Sequence, residues 1–525
     1  MPETLLGQSP LTVLILVPAV VAALVWLVPP LRRLARPIGL VTSVLVLAGA
    51  IALALGFDVS AANEIQFTQV ADWIPAFGAS YAVGVDGLGL VMVVLATLLV
   101  PVVIVAGWHE VTLPVTVGDG DETAERKALD YRRAGWVALI LVLEALMIAV
   151  FASRDIFLFY VVFEAMLLPV YFLIGLYGGA NRRYAAIKFL LYSLAGGLLM
   201  LAAVIGYFFV GTDQGPQAFL LADTASLSSI GSGVTGMSLT TEMLLFLGFF
   251  IAFAIKAPMW PVHTWLPDAA QQAPPGTSTL LVGVLDKVGT FGMIVLCLPL
   301  FPNAAAAAAP VIIVLALISI LYGGLLAIGQ NDMMRLIAFT SVSHFGFIVL
   351  GIFVGNATAV TGSMIYMVAH GVSTAGMFLV AGFLTQRGGT QDMGAYSGMQ
   401  RITRVIAGTF LVSGLASLAL PGLSGFVPEY LVLLGTFAVA PWMAIVAVLG
   451  VVLAALYILL AYQRVFTGPP SPEHAGMADL GGREKLVMGV LIAAMLVLGF
   501  YPAPVLDLLT PLSETVAAFL TGGVA

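Results

Sequence analysis

Apolar residues in this chain come in long unbroken runs separated by short polar clusters, rather than in alternation with polar ones. A helix rises 1.5 Å per residue, so about 20 such residues cross the hydrocarbon core of a bilayer. Fourteen runs satisfy this, beginning near Leu11, Ile38, Gly84, Gly135, Ile156, Phe189, Met243, Ser278, Ala304, Leu336, Ile365, Ile402, Trp442 and Lys485. They predict an all-α polytopic membrane protein with about 14 transmembrane helices. The first run has no basic residue ahead of it and reads as a span rather than a cleaved signal. A single membrane domain is expected, subdivided into 1–134, 135–303, 304–468 and 469–525. The tail from Ala503 to Ala525 has two acids and an apolar stripe, which predicts a short interfacial helix or a frayed end.

Composition supports the pattern: 61% of the 525 residues are hydrophobic and 9% charged, outside the range of soluble domains. The charges are distributed unequally. Arg32, Arg33, Arg36, Arg126, Lys127, Arg132, Arg133, Arg182, Arg183 and Lys188 follow the first, third and fifth runs. Arg335, Arg387, Arg401, Arg404, Arg464, Arg483 and Lys485 continue the same alternation. Only Arg154 falls in a connection on the opposite side, where Asp58, Glu64, Asp72, Asp213 and Asp223 gather. By the positive-inside rule both termini are expected on the outer face of a bacterial inner membrane. Cys297 is the only cysteine, which excludes an internal disulfide or a cysteine-bound iron–sulfur cluster. No dinucleotide-binding or Walker-type loop is present. Any redox or nucleotide chemistry therefore belongs to other subunits.

A charge at mid-bilayer costs roughly 2.5–3.5 kcal/mol on insertion scales. Yet the runs contain Glu144 (fourth), Glu164 (fifth), Lys256 (seventh), Asp286 and Lys287 (eighth), His344 (tenth), His370 (eleventh) and Glu429 (twelfth). Arginine is absent among them. All of these groups can exchange a proton, which an arginine cannot. The bland alternative is that Glu144 and Glu164 hold helices together, that Lys287 is a fixed counter-ion, and that the histidines are satisfied core residues. His109 and His474 fall in polar loops, and Asp332 reads as a helix cap. Lys256 and Glu429 stand apart because both adjoin prolines. Lys256 precedes Pro258 and Pro261, and Glu429 follows Pro421, Gly422, Gly425 and Pro428. Proline inside a membrane helix frees carbonyls that protein or water must satisfy. Two such breaks five spans apart predict two inverted five-helix repeats, spans 4–8 and 9–13, an arrangement that places ion sites in transporters.

The stretches GVDGLGL (84–90), DIFLFYVVFEAMLLPVYFLIGLYGG (155–179), FAIKAPMWPVHTWLPDA (253–269), QNDMMRLIAFTSVSHFGF (330–347), AHGVSTAGMFLVAG (369–382) and LALPGLSGFVPEY (418–430) make the chain resemble the antiporter-like membrane subunits of respiratory complex I. The likeness covers roughly residues 70–465. The glutamate at position 429 favours the M type, since the L and N types usually carry lysine there. The resemblance implies a proton-translocating subunit of NADH–quinone oxidoreductase. It assigns Lys256 as the channel lysine, Glu164 as its partner, Lys287 as the bridging lysine and His344 as the continuation of the path. Glu429 would stand at the distal end and Glu144 at the fourth-helix acidic position; His370 and Asp286 are secondary candidates. No cofactor is expected in this chain. FMN, iron–sulfur clusters and quinone would lie in other subunits, with L and N as neighbours. Ala270 departs from a frequent histidine, Val295 from an arginine, Asp286 from an apolar residue and Pro428 from a glycine. The alternatives are a subunit of a multi-subunit sodium/proton antiporter or of a hydrogenase or ferredoxin-linked complex.

Overall fold

The structure, a computed structural model, describes residues 9–111, 122–210, 219–221 and 237–521. Asp213 and Asp223 of the acidic loops lie outside these residues. Among those described, thirteen helices are long and apolar enough to cross a membrane. They include α1 (Pro10–Leu27), α2 (Ala35–Gly56), α3 (Gly87–Ala106), α4 (Glu122–Ala152), α5 with α6 (Ile156–Ala165 and Leu167–Tyr177) and α7 (Arg182–Val210). The seventh run becomes α8 (Leu239–Lys256), a break, and α9 (Trp265–Gln272). After these come α10 (Pro275–Leu300), α11 (Pro302–Ile328), α12 (Met333–Phe353) and α13 (Ala357–Gly388). The twelfth run is divided into α14 (Arg404–Ser417) and α15 (Phe426–Val439). Then follow α16 (Pro441–Phe466), α17 (Gly482–Phe500) and α18 (Ala503–Thr521).

Helix starts follow local chemistry. The side chains of Asp86, Asp155, Asp332 and Asn356 accept from the backbone N–H groups of Gly89, Leu158, Arg335 and Ala359, capping α3, α5, α12 and α13. Asp332 is thus the cap that its position predicts. Residues 84 and 85, read from sequence as the start of the third span, instead end a strand. An antiparallel hairpin, β1 (Gln66–Ile74) with β2 (Ala79–Val85), precedes α3. Its outer strand is largely exposed, so the apolar pattern does not register it. The helix α4 begins before the apolar run, because its charged first turns remain helical outside the bilayer. The tail forms α18, with Leu509, Leu512, Val516 and Phe519 buried against the bundle.

The helices α10, α12 and α13 form the centre, each wholly buried across its apolar window, while α1, α2 and α16 bury only 33% of theirs. Exposed Leu55, Phe209 and Phe500 mark the outer, lipid-facing layer. Lipid offers no hydrophobic drive for helix association, so close packing depends on small residues. Gly289 of α10 is one example: a Cβ there would lie 2.5 Å from the Phe253 carbonyl oxygen at the end of α8.

Side-chain contacts gather the basic residues on one face. Arg132 donates to the Leu176 carbonyl at the end of α6, Arg464 to that of Gln330 and Arg483 to that of Val105. On the opposite face Arg154, the exception in the charge pattern, forms a buried ion pair with Asp86 at 3.2 Å.

Candidate functional site

The titratable residues occupy irregular points in otherwise regular helices. Lys256 is the last residue of α8, Glu429 lies in the first turn of α15, and Glu164 precedes the interruption between α5 and α6. Lys287 lies in α10 between two π-helical stretches, 281–285 and 293–297. Such wide turns recur at functional sites because they unsettle the regular hydrogen-bond ladder. The proline break after Lys256 is closed by side chains. The Trp265 indole donates to the Ile255 carbonyl at 2.9 Å, and the Trp260 N–H donates to the Ser319 hydroxyl at 2.7 Å. In the second break Ala419 and Gly422 both take positive φ values, 62° and 89°, turning the chain sharply before α15.

These positions converge on a line through the buried centre. Lys256 is 1% exposed; its ammonium has no hydrogen-bond partner among the described residues and faces the Phe163 ring at 4.8 Å and the Phe189 ring at 5.7 Å. Rings hold a cation there by their quadrupole without supplying a proton acceptor. Lys256 feels the charges of both Glu164 and Asp286, with no direct ion pair to either among the described residues. The Glu164 carboxylate occupies space that only glycine leaves free, since a Cβ at Gly197 would lie 1.8 Å from its Oε1. Both oxygens of Asp286 are buried and unpaired, although it feels the charges of Lys287 and Lys256.

Beyond Asp286 the contacts become direct. Lys287 Nζ donates to the Val282 carbonyl and lies 2.7 Å from His370 Nδ1. The His370 and His344 rings meet edge to face with centroids 5.1 Å apart. His344 Nε2 is 3.4 Å from the Tyr457 hydroxyl, and its ring lies 5.9 Å from that of Tyr366. The Tyr366 hydroxyl in turn donates to Glu429 Oε2 at 3.1 Å. The structure thus brings together Glu164, Lys256, Asp286, Lys287, His370, His344 and Glu429. Glu144 is also fully buried, with both oxygens unpaired, but has no hydrogen bond to this line. Asp286 and Lys287 do not form an ion pair, as expected of adjacent residues on a helix.

Sequence reasoning ranks His344 ahead of His370, whereas His370 is the residue that touches Lys287. Tyr366 and Tyr457 were missed, because a tyrosine within an apolar run reads as one more aromatic residue. His263, buried in the first break against Tyr322 and Phe339, carries a signal only through its place in the proline-rich stretch. At the basic end, Asp268 of α9 is held by Lys188 at 2.6 Å and Arg335 at 2.5 Å. This ion triad ties α9, beyond the break, to α7 and α12.

Comparison with known proteins gives a consistent result. Residues 153–454 match the family described as NADH:quinone oxidoreductase/Mrp antiporter, transmembrane. A protein of Mycobacterium tuberculosis named NADH-quinone oxidoreductase subunit M is 47% identical, over 96% of this chain and 93% of its own length. A chain in the structure of respiratory complex I from Thermus thermophilus with bound NADH superposes with a TM-score of 0.84 at 32% identity, covering 97% of this chain and 99% of that one. A chain of the Mrp complex from a Dietzia species superposes at 0.78 with 22% identity, over 98% and 97%. At that identity the last comparison speaks to the fold alone.

Proposed function

This chain belongs to the NADH:quinone oxidoreductase/Mrp antiporter membrane family and is a proton-translocating membrane subunit of NADH–quinone oxidoreductase; from that premise we propose that its protons travel along the line from Lys256 to Glu429. The observation that carries the proposal is the succession of contacts Lys287–His370–His344–Tyr366–Glu429 inside the bundle.

Lys256 is the central store. Two unit charges 4 Å apart attract by about 4 kcal/mol at an effective dielectric constant of 20, and the attraction weakens in proportion to distance. Movement of Glu164 toward or away from Lys256 therefore alters how strongly the lysine holds its proton by a few kcal/mol. Asp286 feels the charges of both lysines and passes the change on, since a proton leaving Lys256 alters the charge that Asp286 and, through it, Lys287 faces. Lys287 exchanges with His370 through Nδ1, His370 with His344, and His344 with the Tyr366–Glu429 pair. The unpaired nitrogens of His344 and His370 and the free oxygen of Glu429 are donor and acceptor sites for water completing the relay. Glu144 stands off this line, and we assign it to an electrostatic role upstream of Glu164.

In this reading residues 135–303 and 304–468 are inverted repeats, each with its broken helix fourth. The basic face is cytoplasmic, both termini are on the outer side, and subunits of the L and N types flank the chain. FMN, iron–sulfur clusters and quinone belong to other subunits, and quinone chemistry there moves the charge that sets Glu164. The test is Lys287→Ala in the assembled complex in sealed vesicles. Proton pumping is expected to fall well below that of the unmodified complex at matched complex content. Unchanged pumping would remove Lys287 from the path.

A further inference from the structure

A cleft of about 540 Å³ opens at the surface of the chain between α1, α4 and α6. Its floor is small and apolar, with Ala19, Ala22 and Ala138, and its upper walls are Trp26, Tyr131 and Tyr177. Two guanidinium groups close over these walls. Arg32 lies 5.0 Å from the centre of the Tyr131 ring, and Arg132 lies 4.8 Å from that of Tyr177. Internal hydrogen bonds fix their positions: Arg32 Nε donates to the Trp26 carbonyl at 3.0 Å, Arg132 Nη2 to the Leu176 carbonyl at 2.6 Å, and Tyr177 donates to the Arg132 carbonyl at 2.8 Å. The Nε atoms of Arg132 and Arg133 are buried with no hydrogen-bond partner among the described residues. Arg36 and Arg133 feel each other's charge and extend the positive cluster, with Asp130 as a nearby carboxylate. The cleft is therefore apolar along its length and cationic at the end that meets the membrane surface.

We propose that this cleft is a binding site for one anionic phospholipid, an acyl chain lying along Ala19, Ala22 and Ala138 and the phosphate held between Arg32 and Arg132. A guanidinium fork suits a phosphate oxygen pair, and its stacking on a tyrosine pre-orients it. Aromatic residues at the mouth sit where the headgroup region meets the acyl chains. A zwitterionic lipid would fill the apolar cleft but leave the cationic end without net compensation, so the charge at the mouth selects an anionic one.

The test uses the assembled complex in nanodiscs of phosphatidylcholine doped with a photoactivatable phosphatidylglycerol, or with phosphatidylcholine bearing the same photoactivatable chain, and crosslinks mapped by peptide mass spectrometry. Labelling of residues 19–27 and 131–142 by phosphatidylglycerol is expected to exceed that by phosphatidylcholine. Arg32→Gln and Arg132→Gln should each cut the excess about five-fold, the factor a single surface cation contributes to attraction of anionic lipid. Ala23→Phe, at an exposed position lining the cleft, should suppress labelling by both lipids and keeps the test open if an arginine variant does not assemble. Equal labelling by the two lipids would overturn the proposal in favour of ordinary boundary lipid. Absence of labelling, with crosslinks to another subunit instead, would overturn it in favour of a protein occupant.

Discussion

Tyr366 offers the sharpest test of the relay, because it contributes one defined bond and no charge. Its hydroxyl is buried and donates to Glu429 Oε2 at 3.1 Å, while the other carboxylate oxygen has no partner. A hydrogen bond to an ionised group is worth roughly 1.5–3 kcal/mol. Tyr366→Phe removes that bond while retaining the ring that packs near His344 and Phe347. Any step that passes through ionised Glu429 should therefore slow by about ten- to a hundred-fold, at 1.4 kcal/mol for each factor of ten. The assay is the initial rate of acidification per NADH oxidised in sealed vesicles, normalised to assembled complex. Tyr457→Phe is the control, since its contact to His344 is longer at 3.4 Å and should cost less. If Tyr366→Phe pumps at the unmodified rate while Tyr457→Phe does not, the connection to Glu429 does not run through Tyr366.

Two further outcomes follow from the same geometry. Asp286→Ala removes the carboxylate that feels both lysines and should lower the proton-to-electron ratio with little loss of assembled complex, because both its oxygens are already unpaired among the described residues; an unchanged ratio would show that Lys256 and Lys287 communicate without it. Arg154→Met leaves Asp86 buried without its cationic partner, a loss of roughly 3–5 kcal/mol for a broken buried pair, so the yield of assembled complex should drop; adding Asp86→Asn should restore part of it, and failure of both effects would make the pair dispensable.

The architecture was legible where the apolar period was long. Twelve of the predicted runs appear among the thirteen span-length helices. The exceptions have physical causes: the twelfth run is divided by its prolines and glycines, and Arg483, Glu484 and Lys485 open α17 with more charge than an apolar span carries. The hairpin from Gln66 to Val85 was invisible because an exposed outer strand has no apolar signature. At the candidate site, charge in an apolar setting was enough to single out Glu164, Lys256, Lys287 and Glu429 as titratable groups inside the bundle, since each must be compensated there. The order of contacts was not legible: which histidine meets Lys287 depends on how α13 is rotated against α10. Tyr366 and Tyr457 became visible only when α13 and α16 were packed beside His344 and Glu429.

The central claim is that protons cross the membrane through Lys256 and not merely near it. The direct measurement is the proton-to-electron ratio of the assembled complex carrying Lys256→Ala, reconstituted in sealed vesicles and driven by NADH. That ratio is expected to fall while the complex remains assembled. An assembled variant whose ratio and electron-transfer rate both match the unmodified complex would contradict it.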